Sequence, residues 1–159
     1  PVIVPGDGLT LWTLTHNSDF ARAFIGLMGN VHAVGETYQV MSEEVLTWNQ
    51  IHQTIADALG VSFRPCYVPS TLLAMAPAYD FKGALLGDKA NSVVFDTSKL
   101  RKAVPGYHAS MRFDQGVRNT LAYVMHHQEC QSVDVEFDQW CDRVVEIMQE
   151  AERKIARME

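Results

Sequence analysis

Residues 35–60 read GETYQVMSEEVLTWNQIHQTIADALG, and the fold class rests on them. Tyr38 and Val40 alternate with Thr37, Gln39 and Met41, the period of a half-buried strand. Ser42, Glu43 and Glu44 interrupt it. Thr47 then stands three residues before Gln50, a capping box in which each side chain serves the other's main-chain amide. Trp48, Ile51, Ile55, Ala58 and Leu59 recur at helical spacing, and Gly60 falls where a helix commonly ends in a left-handed residue. Strand, polar turn, capped helix, glycine and a further apolar run make an α/β layer, around which the rest of the chain is expected to pack.

Working outward, Val2–Val4 is a short buried strand, and Pro5-Gly6-Asp7-Gly8 is a tight turn. Leu9–Thr15 alternates again. Asn17 or Ser18 caps a helix with Asp19 in its first turn and Phe20, Ala23, Phe24, Leu27 and Met28 as its apolar stripe. After Gly60, Phe63–Val68 is a strand, and Ser70 caps a brief helix over Thr71–Met75. Tyr79–Asn91, broken by glycines and charges, is a surface loop. Val93–Phe95 is a short strand, and a small helix follows over Lys99–Val104. Another begins near Phe113 with Val117, Thr120, Leu121 and Val124 on one side. The last runs from Glu136 to residue 159, buries Phe137, Trp140, Val144, Ile147 and Met148, and frays beyond Glu150.

With 159 residues, 47% of them apolar and 20% charged, the chain has the composition of one soluble domain. A net charge of −6 disfavours a general nucleic-acid binder. No apolar run approaches the roughly 20 residues that span a bilayer. Cys66, Cys130 and Cys141, an odd number widely spaced, read as reduced thiols of a cytoplasmic protein. The opening Pro1, leading directly into an apolar strand, is expected to mark a fragment of a longer protein.

The chemistry-bearing motifs are sparse. No glycine-rich dinucleotide loop or P-loop occurs, and no tyrosine stands four residues before a lysine, the arrangement that lowers a tyrosine pKa for proton transfer. His126 and His127 are neighbours on a helix, about 100° apart, which suits a solvated end better than a metal. Cys66 has no nearby base. The polar cluster Gly6, Asp7, Trp12, Thr15 and His16 lies on a turn and the strand before a helix, where α/β sheets gather ligands. Trp12 and His16 either meet a ligand there or serve the core and a local hydrogen bond. The segment 83–89, with Asp88 and Lys89, is a second candidate, as a lid or as a plain solvated turn.

The succession GDG at 6–8, DFARAF at 19–24, the stretch 35–60, FDTSKLRKAVPGY at 95–107 and FDQGVRNTLAYV at 113–124 resembles the carboxyl-terminal part of the extended short-chain dehydrogenase/reductases, the NAD-dependent epimerase/dehydratase family. No single motif is distinctive; their order and spacing carry the resemblance to about Val124. It implies an α/β fold made of a few Rossmann-type strands plus a substrate-binding lobe and a helical tail, with residues 1–159 forming that lobe. It also implies NAD or NADP in a full-length parent, held by an amino-terminal half not present here, and a sugar or nucleotide-sugar substrate. Relatives acting on nucleotide-diphosphate sugars carry an arginine where Trp12 stands, and a second where Leu85 precedes Leu86-Gly87-Asp88. Bidentate arginine–phosphate pairing is hard to replace, so Trp12 points to a more apolar or stacked ligand.

The expected substrate-site residues are therefore Gly6, Asp7, Trp12, His16, Asp88 and Lys89, with no catalytic residue, no metal and no cofactor bound by this chain. Alone it should lack oxidoreductase activity. Its exposed sheet should drive self-association. The alternative is a non-catalytic module for RNA or a protein partner.

Overall fold

The computed structural model describes residues 1–158. Strand β1 (Val2–Pro5) pairs in parallel with β4 (Pro65–Val68), Val4 opposite Tyr67. The amide of Gly6 extends the ladder to the Val68 carbonyl at 2.8 Å. A second, antiparallel pair joins β2 (Leu11–Trp12) to β3 (Leu46–Thr47). Helix α1 (Asn17–Leu27) lies between β2 and β3 and α2 (Trp48–Leu59) between β3 and β4, followed by α3 (Ser70–Leu73), a π-helix over Lys82–Lys89, α4 (Ser98–Ala103), α5 (Phe113–His126) and α6 (Val135–Ile155). The result is mixed α/β with a small parallel sheet and a helical tail, as expected. No described helix is long and apolar enough to cross a membrane.

Helix α2 forms as its capping box dictates. The Thr47 hydroxyl accepts from the Gln50 amide at 3.2 Å, the Gln50 side chain accepts from the Thr47 amide at 2.8 Å, and Gly60 ends the helix at φ +69°. Ile51 and Ala56 are its buried residues, and α2 packs on α5. Asn49, the second residue of α2, organises the first turn of the chain. Its amide donates to the Gly8 carbonyl and its Nδ2 to the Asp7 carbonyl, both at 3.0 Å, while Tyr67 donates to its Oδ1 at 3.2 Å. Gly8 sits at φ +70°, and a Cβ there would collide with the Asn49 side chain. The main core lies beneath β4: Cys66, Val68, Leu73, Leu85 and Val145, with Trp140 and Met148 of α6 against it.

Several expectations give way to packing. Thr37–Met41 forms no strand; nothing in the described chain lies beside it to complete a ladder. Val93–Phe95 is likewise not a strand, because only the Val93 amide finds a partner, the Leu11 carbonyl at 3.3 Å. The segment 79–91 is not a loop: Leu85 is buried and draws residues 82–89 into a π-helix, while Tyr79 meets Phe137 and Trp140 of α6 edge-on at 5.1 Å and Phe81 stacks on Trp140 at 5.4 Å. The cap of α1 is His16, whose Nδ1 accepts from the Ser18 amide at 3.2 Å, rather than Asn17 or Ser18. Helix α3 starts at Ser70 without a side-chain cap, and α6 is helical through Ile155, past the expected fraying point. On α6 Ile147 is exposed and Val145 takes the buried place.

Helix α1 departs most. It turns inward Asp19 and Ala23, sets Gly26 against Val104, and leaves Phe20, Phe24 and Met28 outside. Asp19, 1% exposed, explains the choice. Its carboxylate accepts from the Met111 amide at 2.9 Å, from the Ser110 hydroxyl at 3.4 Å and from the Arg22 guanidinium. Arg22 in turn donates to the His108 carbonyl at 3.1 Å and to the Ser110 hydroxyl at 2.8 Å. Burial alone would raise the Asp19 carboxyl. The Met111 amide, Arg22 and the Ser110 amide outweigh it and hold the group below its ordinary 3.8.

Two consequences can be measured. The Asp19→Asn variant should lose about 2–4 kcal/mol of stability by urea unfolding at neutral pH, since an amide cannot accept all of these donors. Because the folded-state pKa is depressed, the ionised contribution is complete above the unfolded value of 3.8 and is lost as pH falls through the lower folded value, so the gap between variant and parent should narrow below about pH 4. Gly8→Ala should cost about 1–3 kcal/mol by the same measurement, and more than Gly35→Ala, which shares a positive φ but faces open space.

Candidate functional site

The short antiparallel pair sets the clearest candidate. Pairing Trp12 with Leu46 brings the end of β2 beside the start of α2, so the Trp12 ring stacks on Trp48 with centroids 5.7 Å apart and planes 27° from parallel. The Trp48 indole N–H donates to the Lys89 carbonyl at 3.3 Å, tying the end of the π-helix to the pair. The Lys89 ammonium lies 5.6 Å from the centre of the Trp12 ring and 3.0 Å from the Asp88 carboxylate. Continuing along α2, Trp48 meets His52, whose Nδ1 donates to the Trp48 carbonyl at 2.8 Å, and His52 stacks on Phe63. An aromatic run capped by a cation and a carboxylate results. Such a run joins aromatic stacking to a cation–π contact in one place.

Three of the candidate residues, Trp12, Asp88 and Lys89, thus come together. The other three do not join them through any hydrogen bond or ring contact. Gly6 and Asp7 serve the turn: Asp7 Oδ1 accepts from the Leu9 amide at 2.9 Å, and its carbonyl takes the Asn49 side chain. His16 caps α1, with Nδ1 accepting from Ser18, and borders a separate cleft of about 730 Å³ between the start of α1 and α5, lined also by Thr15, Ile55, Met111, Phe113 and Tyr123. The far wall of that cleft is fixed by Glu44, which accepts from the Phe113 amide at 2.7 Å and so caps α5.

Trp48 and His52 were missed as site residues. Trp48 reads as an ordinary member of an amphipathic helix, and only the two-residue pairing of β2 with β3 reveals that it faces Trp12. Position 85 offers no phosphate-binding group, since Leu85 is buried in the core. His126 and His127 each donate Nδ1 to the carbonyl four residues earlier, and among the described residues no cluster suits a metal.

No protein-family model matches the chain. Over 107 residues it is 28% identical to 2′-dehydrokanamycin reductase of Streptomyces kanamyceticus, a match covering 67% of this chain and 30% of the relative. Among solved structures it resembles the UDP-glucuronic acid 4-epimerase of Bacillus cereus, solved with NAD, at 15% identity and a TM-score of 0.59 over 79% of this chain. It also resembles dTDP-glucose 4,6-dehydratase of Bacillus anthracis (19%, TM-score 0.59, 80%) and UDP-glucose 4-epimerase of Thermotoga maritima (20%, 0.59, 79%). The chain spans about a third of the length of each, 35% for all three structures. Its fold is therefore that of about a third of an NAD-dependent epimerase or dehydratase, in keeping with the resemblance of its motifs to the carboxyl-terminal part of the extended short-chain dehydrogenase/reductases.

Proposed function

We propose that this chain is the substrate-binding portion of an NAD(P)-dependent enzyme that acts on a sugar, by epimerisation, dehydration or reduction. The observation that carries the reading is the Trp12–Trp48 stack with Lys89 and Asp88 beside it, on a fold shared with sugar-nucleotide enzymes. Hydride transfer belongs, in this reading, to the two-thirds of the fold outside the chain: the sequence has neither a glycine-rich strand–helix turn nor a Tyr-x-x-x-Lys. The 159 residues alone are thus inactive as an oxidoreductase, and NAD or NADP serves the longer protein. Because Trp12 and Leu85 replace the phosphate-binding arginines of nucleotide-sugar enzymes, a sugar without a diphosphate suits the site better than UDP-glucose does. The similarity to a reductase of a dehydro-kanamycin supports that preference. Gly6, Asp7 and His16 shape the site from a distance: the first two through the turn that Asn49 holds, His16 by fixing the start of α1.

The test is a titration followed by tryptophan fluorescence. Trp140 lies in the Phe137–Tyr79–Phe81 cluster and reports separately, so a ligand on the Trp12–Trp48 face changes a distinct part of the emission. Kanamycin or a simple sugar should change that emission at lower concentration than UDP-glucuronic acid. Trp12→Ala should weaken binding by about tenfold or more, the loss of one stacking contact of roughly 1–2 kcal/mol. Tighter binding of the nucleotide sugar, unaffected by Trp12→Ala, would refute the assignment.

A further inference from the structure

A second concave surface lies apart from the Trp12–Trp48 face: the cleft of about 730 Å³ between the start of α1 and α5. That volume falls in the range of pockets that enclose a small organic molecule. Its walls are of two kinds. Leu14, Ile55, Met111, Phe113 and Val117 bring apolar groups to it, and His16, Asn17, Asn119 and Tyr123 bring uncharged polar ones.

His16 carries the most information. The Ser18 main-chain amide donates to its Nδ1 at 3.2 Å. An amide N–H can only donate, so Nδ1 is unprotonated and the neutral ring holds its proton on Nε2. No described residue accepts a hydrogen bond from that nitrogen. Gly116 decides where the ring edge lies. A Cβ at position 116 would come 3.0 Å from His16 Cδ2, the ring atom bonded to Nε2. The absence of a side chain there lets this edge of the imidazole rest against α5, where both residues border the cleft. A glycine inside a helix costs about 1 kcal/mol relative to alanine, and the seat of His16 is the local reason for it. Around this donor, neither the side-chain amides of Asn17 and Asn119 nor the Tyr123 hydroxyl take part in a hydrogen bond among the described residues. The Tyr123 ring itself is held by stacking on His127, with centroids 3.8 Å apart.

Charge narrows the class of ligand. Arg112 is the one charged side chain on the lining, and it is already engaged: its Nε donates to Asp114 at 3.0 Å and lies 3.9 Å from Glu44. An ion brought among the apolar walls would lose its hydration without gaining a free counter-charge, whereas a hydroxyl or carbonyl oxygen would find donors and acceptors without partners. We propose that this cleft is a second binding site, for an uncharged ring compound bearing hydroxyl or carbonyl groups. The ring lies on Phe113, Met111 and Ile55, a ligand oxygen accepts from His16 Nε2–H, and further oxygens exchange hydrogen bonds with Asn17 and Asn119.

The test uses three probes of nearly one shape: 4-(hydroxymethyl)biphenyl, biphenyl-4-carboxylate and biphenyl-4-ylmethylammonium. Each is titrated into the 159-residue chain and followed by heteronuclear NMR. The alcohol should shift the side-chain amides of Asn17 and Asn119 and the main-chain amides of 111–123, and should bind about tenfold or more tightly than either ion. In the neutral ring of the free chain, the His16 nitrogen signals should report the proton on Nε2. Asn119 is exposed, so Asn119→Trp keeps the fold while filling the cleft, and it should weaken binding of the alcohol about tenfold or more. Equal affinity for the three probes, shifts confined to residues outside the cleft, binding unmoved by Asn119→Trp or a proton on Nδ1 would each overturn the proposal. No tryptophan lines the cleft, so the sugar titration on Trp12 and Trp48 succeeds or fails independently of these signals.

Discussion

The buried carboxylate of Asp19 is the constraint from which the arrangement of the helices follows. A charge taken out of water must be met by donors, and here they all come from one irregular segment, residues 108–111, together with Arg22. Meeting that demand turns the polar side of α1 inward and its phenylalanines outward. It also seats the residues that lead into α5, and with them one wall of the 730 Å³ cleft. The neighbouring Tyr107 hydroxyl, pushed up by burial and by Asp19, is left with no partner among the described residues. The segment is held by ionic and main-chain contacts rather than by regular structure.

The second organising group is α2. Its first turn does three things: Thr47 and Gln50 close the helix end, Asn49 holds the glycine-rich turn after β1, and Trp48 carries the stacking face. That helix start is held from three sides, by the capping box, by the Asn49 bonds to the turn and by the Trp48 bond to the Lys89 carbonyl.

The elements with local causes were legible in the sequence. The capping box at Thr47, the glycine stop at Gly60 and the helical stripe of α5 all rest on contacts within a few residues. What was not legible depended on partners distant in the chain. The stripe Phe20–Phe24–Met28 predicts a buried face, yet the direction of α1 is set by Asp19 bonding to residues some ninety positions away. The strand pattern of 37–41 is real as a pattern but pairs with no strand among the described residues. The π-helix at 82–89 follows from Leu85 reaching a core built by β4 and α6. Of the candidate residues, Trp12 was named from its place on the strand after the glycine turn and Asp88 and Lys89 from the charged segment 83–89, and the fold places the three side by side. Trp48 was hidden because its spacing equally suits a core helix.

The parallel ladder of β1 and β4 has a kinetic corollary. It joins residues 2–5 to residues 65–68, with the whole of β2, α1, β3 and α2 in the loop it closes. Closing some sixty residues costs about 4 kcal/mol of chain entropy before any contact in the ladder forms. The helices between can form on local instructions, whereas the strand pair must wait for them to shorten the loop. Assembly of this chain is thus ordered by topology, with the sheet as its late and rate-setting step.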